Sequence, residues 1–144
     1  MPIKTFRGLV AAGAQDTIVL HTNDGSVGYR IVKFQLFGQE PGIAAMEHIV
    51  KIYKIAQTTV TGTVDFSDQT LLASAYIEDN IGEHYISGID VIFDNEIFNQ
   101  DIYVTAFDAK GAEPINYYIE LEQMKLDLNE NTVATLKDIR NTTG

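Results

Sequence analysis

Apolar positions along the chain recur mostly at every second residue, in short runs separated by Gly, Asn, Asp and Pro. That period predicts strands rather than helices. Asp16 to Thr22 ("DTIVLHT") reads as a short strand rich in β-branched residues, and "NDGS" at 23–26 reads as a hairpin turn, since Asp-Gly accepts positive φ. Val27 to Phe37 ("VGYRIVKFQLF") is a long strand. Its apolar set begins Val27, Tyr29, Ile31 and continues Val32, Phe34, Leu36, and that change of parity predicts a bulge near Ile31. "GQEPG" at 38–42 is a loop by composition. His48 to Ile55 ("HIVKIYKI") places Ile49, Tyr53 and Ile55 on one side and Val50 and Ile52 on the other. Apolar residues on both faces predict a central strand, or a partner laid over the outer face.

The second half continues the pattern. Residues 56–70 read as a loop anchored by Val64 and Phe66, Leu71 to Ile77 as a strand, 78–83 as an acidic turn, and His84 to Phe93 as a strand with Gly88 at a bulge. In "DIYVTAF", Ile102, Val104 and Ala106 alternate with Tyr103, Thr105 and Phe107. After "DAKGAEP", Ile115 to Leu128 is expected to return antiparallel, with Tyr117, Ile119 and Leu121 facing the core beside Ile102 and Val104. Asp101, Asp108 and Glu113 then fall at strand ends, and Asp94, Asn95 and Glu96 at a corner. Over 129–141 the period changes. Val133, Leu136, Lys137 and Arg140 share a helical face, so a short C-terminal helix is expected, with a final strand as the competing reading. Together these elements predict an all-β antiparallel sandwich, jelly-roll-like, in one domain over 16–144, with 1–15 as an N-terminal arm or edge strand.

Composition narrows the functions. The chain has 144 residues, 45% of them hydrophobic, enough for a real core. It contains no cysteine, which removes disulfides and thiolate chemistry. The apolar run near the N-terminus is short for a signal peptide, and no window has the length of a membrane-spanning helix, so no membrane partner is expected. The net charge of −10 argues against nucleic acid. The charge is also uneven. Residues 1–54 carry six bases and four acids, whereas 55–109 carry ten acids and no Lys or Arg. An acidic surface of this kind is ordinarily a solvated one, or it meets a basic surface on a neighbouring subunit.

No catalytic motif emerges. His21, His48 and His84 lack metal-ligand spacing, and Ser67, Ser74 and Ser87 lie in no nucleophile elbow. "NDG", "EDN" and "DNE" offer hard oxygen ligands for calcium, but turn chemistry explains the same residues. No cofactor is expected. Aromatic residues such as Tyr29, Tyr85 and Tyr118 are the candidates for a sugar platform, with core positions as the simpler reading.

The segments "FDNEIFNQDIYVT" and "YYIELEQMKLDLNENTVATLKDIRN" carry a resemblance that extends over about residues 27–141. This region resembles small virion structural proteins of tailed bacteriophages. The resemblance implies a β-sandwich or jelly roll placed on the capsid or at the neck, associating as a homo-oligomer, with a trimer favoured. The implied partners are the major capsid protein or neighbouring virion proteins, and no catalytic residue carries over. The assembly interface expected on this basis comprises Ile3, Lys4, Phe6, Arg7 and Leu9 of the arm with Ile49, Lys51 and Tyr53 of the two-sided strand. A carbohydrate- or host-surface-binding module of a phage fibre is the alternative function, and a small β-barrel hydrolase or isomerase the third.

Overall fold

The computed structural model describes residues 2–126 apart from 24, 42, 44 and 80–87. The expected C-terminal helix at 129–141, most of the acidic turn, and His84 with the first part of its strand lie outside the described residues. Eight strands run β1 (Ile3–Val10), β2 (Gln15–Ile18), β3 (Val27–Gly38), β4 (Met46–Tyr53), β5 (Leu71–Asp79), β6 (Gly88–Phe93), β7 (Ile102–Asp108) and β8 (Ile115–Lys125). They form a three-stranded sheet, β1-β8-β3, packed on a five-stranded sheet, β2-β7-β4-β5-β6. Every strand pairing is antiparallel.

The pairings nest. β1 pairs with β8, β2 with β7, and β4 with β5, as in one long hairpin rolled into two layers, which is jelly-roll-like order. The remaining pair of that nest, β3 with β6, is not formed, because β6 hydrogen-bonds to β5 instead; β3 meets only a single bridge, from Tyr29 to Phe98 in the segment that follows β6. The two sheets are therefore unequal in width.

Two expected hairpins are replaced by crossovers. β2 and β3, flanking "NDGS", lie in different sheets, and so do β7 and β8. Each sheet of a sandwich must present one apolar face inward, and strands with matching alternation satisfy this equally well as sequence neighbours or across the layers. Ile102 and Val104 thus meet Tyr117, Ile119 and Leu121 through the core, with all but Tyr117 (6% exposed) fully buried. The expected bulge is present: the β3–β8 register shifts between Ile31 and Lys33. Gly88 opens β6 with no register shift.

Residues 3–10 form an edge strand of their own sheet, paired residue for residue with β8 and burying Val10 completely. The small residues that follow make a tight turn. Gly13, at φ 78°, takes the left-handed conformation that the turn needs, and Ala14 N–H donates to the carbonyl of Ala11. Gly8 has a packing role. A Cβ there would lie 2.8 Å from the Tyr117 hydroxyl, so its absence lets that ring lean across β1 and donate a 3.0 Å hydrogen bond to Asp16 in the opposite sheet.

The stretch "FDNEIFNQD" closes the open side of the sandwich. Asp94 N–H donates to Leu72, Asn95 accepts from Arg30, and Glu96 pairs with Lys54 at 3.0 Å. Phe98 stacks on Tyr29 with ring centroids 6.5 Å apart. Buried Asn99 donates to the carbonyl of Gly25. These acids and amides tie both sheets to one connecting segment.

Because Ile119 is fully buried at the centre of the three-stranded sheet, Ile119→Ala should lower stability by about 2–5 kcal/mol in chemical denaturation. A change within measurement error would show that this face is not the core.

Candidate functional site

The two outer faces of the sandwich differ. The outer face of the five-stranded sheet is largely covered by the chain itself. Residues 54–70 fold back across it: Gln57 N–H donates to Gln15, and Gly62 lies so close to the Phe107 ring that a Cβ would approach it to 2.8 Å. Lys51 Nζ donates to the Thr63 carbonyl at 2.6 Å and sits 5.4 Å from the centre of the Tyr53 ring. Lys51 and Tyr53 are consequently 2% and 7% exposed, and Ile49 is half-buried. The apolar residues on the second face of β4, expected to mark an assembly interface, are explained by this intramolecular cover. The loop's expected anchors, Val64 and Phe66, are instead exposed (40% and 67%).

The outer face of the three-stranded sheet has no such cover among the described residues. Pairing register sets its rows: Ile3, Glu122 and Arg30; Thr5, Glu120 and Lys33; Arg7, Tyr118 and Gln35; Leu9, Asn116 and Phe37. Arg30 pairs with Glu122 at 3.1 Å. Tyr118 donates to Glu120 at 2.7 Å and carries Lys33 Nζ 5.8 Å from its ring centre. The last two rows line an open groove of about 520 Å³, backed by Gly8, Leu36 and Tyr117. Leu9 and Phe37 stand 46% and 67% exposed at its apolar end. Arg7 gives the groove its positive charge.

Of the residues expected at an interface, the structure brings Ile3, Arg7 and Leu9 onto this face. Lys4 and Phe6 have the opposite parity, and Phe6 packs partly against the core. Phe37, Tyr118, Gln35 and Asn116 were not among the expected residues. Their alternation was legible in the sequence, but which face would stay uncovered was not.

Of the titratable groups raised as chemical candidates, His21, His48, Asp101 and Asp108 have structural partners, and His84 lies outside the described residues. His21 Nδ1 lies 2.7 Å from Asp101, whose same oxygen also accepts from the amides of Leu20 and His21. Burial of Asp101 alone would raise its pKa, but these hydrogen bonds outweigh it and hold the carboxyl below the ordinary range. Buried His48 donates from Nε2 to the Glu113 carbonyl at 2.6 Å, with Asp108 at 3.8 Å. Asp108 accepts from the amides of Glu47, Lys110 and Glu113. Here too burial opposes ionisation, and the three amides with nearby His48 prevail, lowering the pKa.

The phenols shift the other way. Tyr76, donating to Glu47, is pushed up to about 12, chiefly by that hydrogen bond, and Tyr118 is raised by its bond to Glu120. These hydroxyls are neutral donors, the protonation state suited to binding. Among the described residues no three His, Asp or Glu side chains converge as metal ligands. The groove is thus a preformed, amphipathic surface with planar polar groups, one cation, Arg7, and two exposed apolar side chains, Leu9 and Phe37. No family model matches the chain, and no curated protein matches its sequence.

Asp108→Asn leaves at least one of the three partly buried amides without its acceptor, so it should cost about 1–3 kcal/mol at neutral pH. The folded-state pKa of Asp108 lies below the unfolded one, so the ionised carboxylate contributes stability above the unfolded pKa and loses it as pH falls through the lowered value. Urea denaturation of wild type and variant should therefore show a full gap at pH 7 that narrows below about pH 4. A pH-independent gap would contradict the electrostatic account.

Proposed function

We propose that this protein is a non-enzymatic virion structural protein of a tailed bacteriophage, a capsid decoration, cement or head–neck component that self-associates and binds the capsid shell. One observation carries this reading within the structure: an outer sheet face, uncovered among the described residues, whose groove combines exposed Phe37 and Leu9 with Arg7 and Tyr118. Aromatic residues and arginine grouped around an apolar centre are the composition of protein-binding hot spots. The sequence resemblance over 27–141 supplies the particle as the setting. A sandwich in which Asp65, Asp68, Asp101, Asp108, Glu96 and Glu122 are engaged in turns, amides and ion pairs suits a rigid lattice component, where many copies turn weak single contacts into firm attachment through avidity.

A glycan-binding fibre module is the second reading. It is favoured by Tyr118 and Phe37 standing beside the planar amides of Gln35 and Asn116, groups that can stack on and hydrogen-bond a sugar face.

Immunogold labelling and mass spectrometry of intact purified particles test the proposal. The expected result is labelling in regular stoichiometry on the head or neck, lost when Phe37→Ala and Leu9→Ala are combined. Absence from particles would overturn it. Labelling confined to fibres, with glycan-array binding abolished by Tyr118→Ala, would establish the second reading instead.

A further inference from the structure

Phe66 is the largest side chain that the covering loop leaves in solvent, at 67% exposed. Its turn, "DFSD", is rigidly built. Asp65 accepts from both the amide and the hydroxyl of Ser67 at 2.9 and 2.6 Å, and Asp68 accepts from both groups of Thr70 at 2.9 and 2.7 Å. The hydrogen bonds to Ser67 hold the Asp65 carboxyl below the ordinary range, so it is charged at neutral pH. The turn presents an aromatic ring between two carboxylates. Beside it, half-exposed Ile92 and Phe93 extend the apolar surface, with Asp94 at the edge of the groove they share.

On the opposite outer face lies a groove with the complementary features: an apolar end at Leu9 and Phe37, the Tyr118 ring, and the cation of Arg7. Its volume of about 520 Å³ is ample for a phenylalanine ring and its neighbours. Both surfaces are held by hydrogen-bonded strands or turns, so little conformational freedom would be lost on contact. The formal charges have opposite sign on the two, since residues 55–109 contain no Lys or Arg.

We infer that the Phe66 turn of one copy seats in the Arg7–Phe37–Tyr118 groove of a second copy. The inference deepens the assembly reading above, on which it rests for its biological setting. Two different surfaces on opposite faces make a head-to-tail contact, which either closes into a ring, such as the favoured trimer, or runs on as a stack. Charge complementarity sets its register and disfavours groove-to-groove pairing.

The test is sedimentation and light scattering of the full chain over a concentration series. Wild type should self-associate, and Phe66→Ala and Arg7→Glu should each weaken association at least about tenfold, the loss expected for an anchor at an interface centre. Both residues are exposed, and circular dichroism will establish that both variants are folded. An equimolar mixture of the two is decisive. Phe66→Ala retains an intact groove and Arg7→Glu an intact plug, so the mixture should form complexes of two chains and nothing larger. A wild type that stays a single chain at high micromolar concentration, a Phe66→Ala variant that associates like wild type, or a mixture that stays monomeric would each overturn the contact. Loss of this contact with particle labelling intact would leave the proposed function standing.

Discussion

Asp108 decides where β8 goes. Its carboxylate gathers the amides of Glu47, Lys110 and Glu113, and His48 grips the Glu113 carbonyl from the same buried pocket. The connection after β7 is thereby turned away from its own sheet, and β8 enters the opposite layer. There it becomes the central strand, with β1 on one side and β3 on the other. Without that crossover the three-stranded sheet would have no middle, and neither its core face nor its outer groove would exist. The arrangement is costly to interrupt, because one carboxylate satisfies three partly buried amides at once and a neutral replacement cannot accept from all of them.

The unequal sheets create a second requirement. Since β6 pairs with β5, the side of the sandwich next to β3 lacks a full fourth strand. The segment 94–99 closes it with Phe98 as an apolar stopper and with Asn95, Glu96 and Asn99 reaching Arg30, Lys54 and Gly25. The dense acids and amides of this stretch, which invite a catalytic or calcium interpretation, serve as fasteners. Lys54 and Glu96 are nearly buried, so their pairing matters more than that of a surface ion pair.

The proposed function rests on the asymmetry of the outer faces. One is covered by residues 54–70, and the other is bare among the described residues. The covering loop takes Lys51 and Tyr53 out of contact with solvent, and in doing so it lifts Phe66 into it. A single segment thus removes one candidate surface and creates another on the same side of the molecule.

The alternation of residues such as Ile102, Val104, Tyr117, Ile119 and Leu121 determined, by itself, that the described chain is all-β, that these five positions are buried, and that β3 carries a bulge near Ile31. Period and parity are local properties, dictated by the pleat and by the need to remove apolar side chains from water. Three things were decided only by tertiary structure. The partners of β2 and β7 were open because a strand's inward face is satisfied equally by a hairpin neighbour or by a strand far away in the sequence. The fate of Ile49, Lys51 and Tyr53 was open because apolar residues on both faces of β4 call for a cover without saying whether it is the protein's own loop or another molecule. The groove was open for the same reason: Arg7, Phe37 and Tyr118 come from three strands distant in sequence, and only the antiparallel register of β1, β8 and β3 places them side by side.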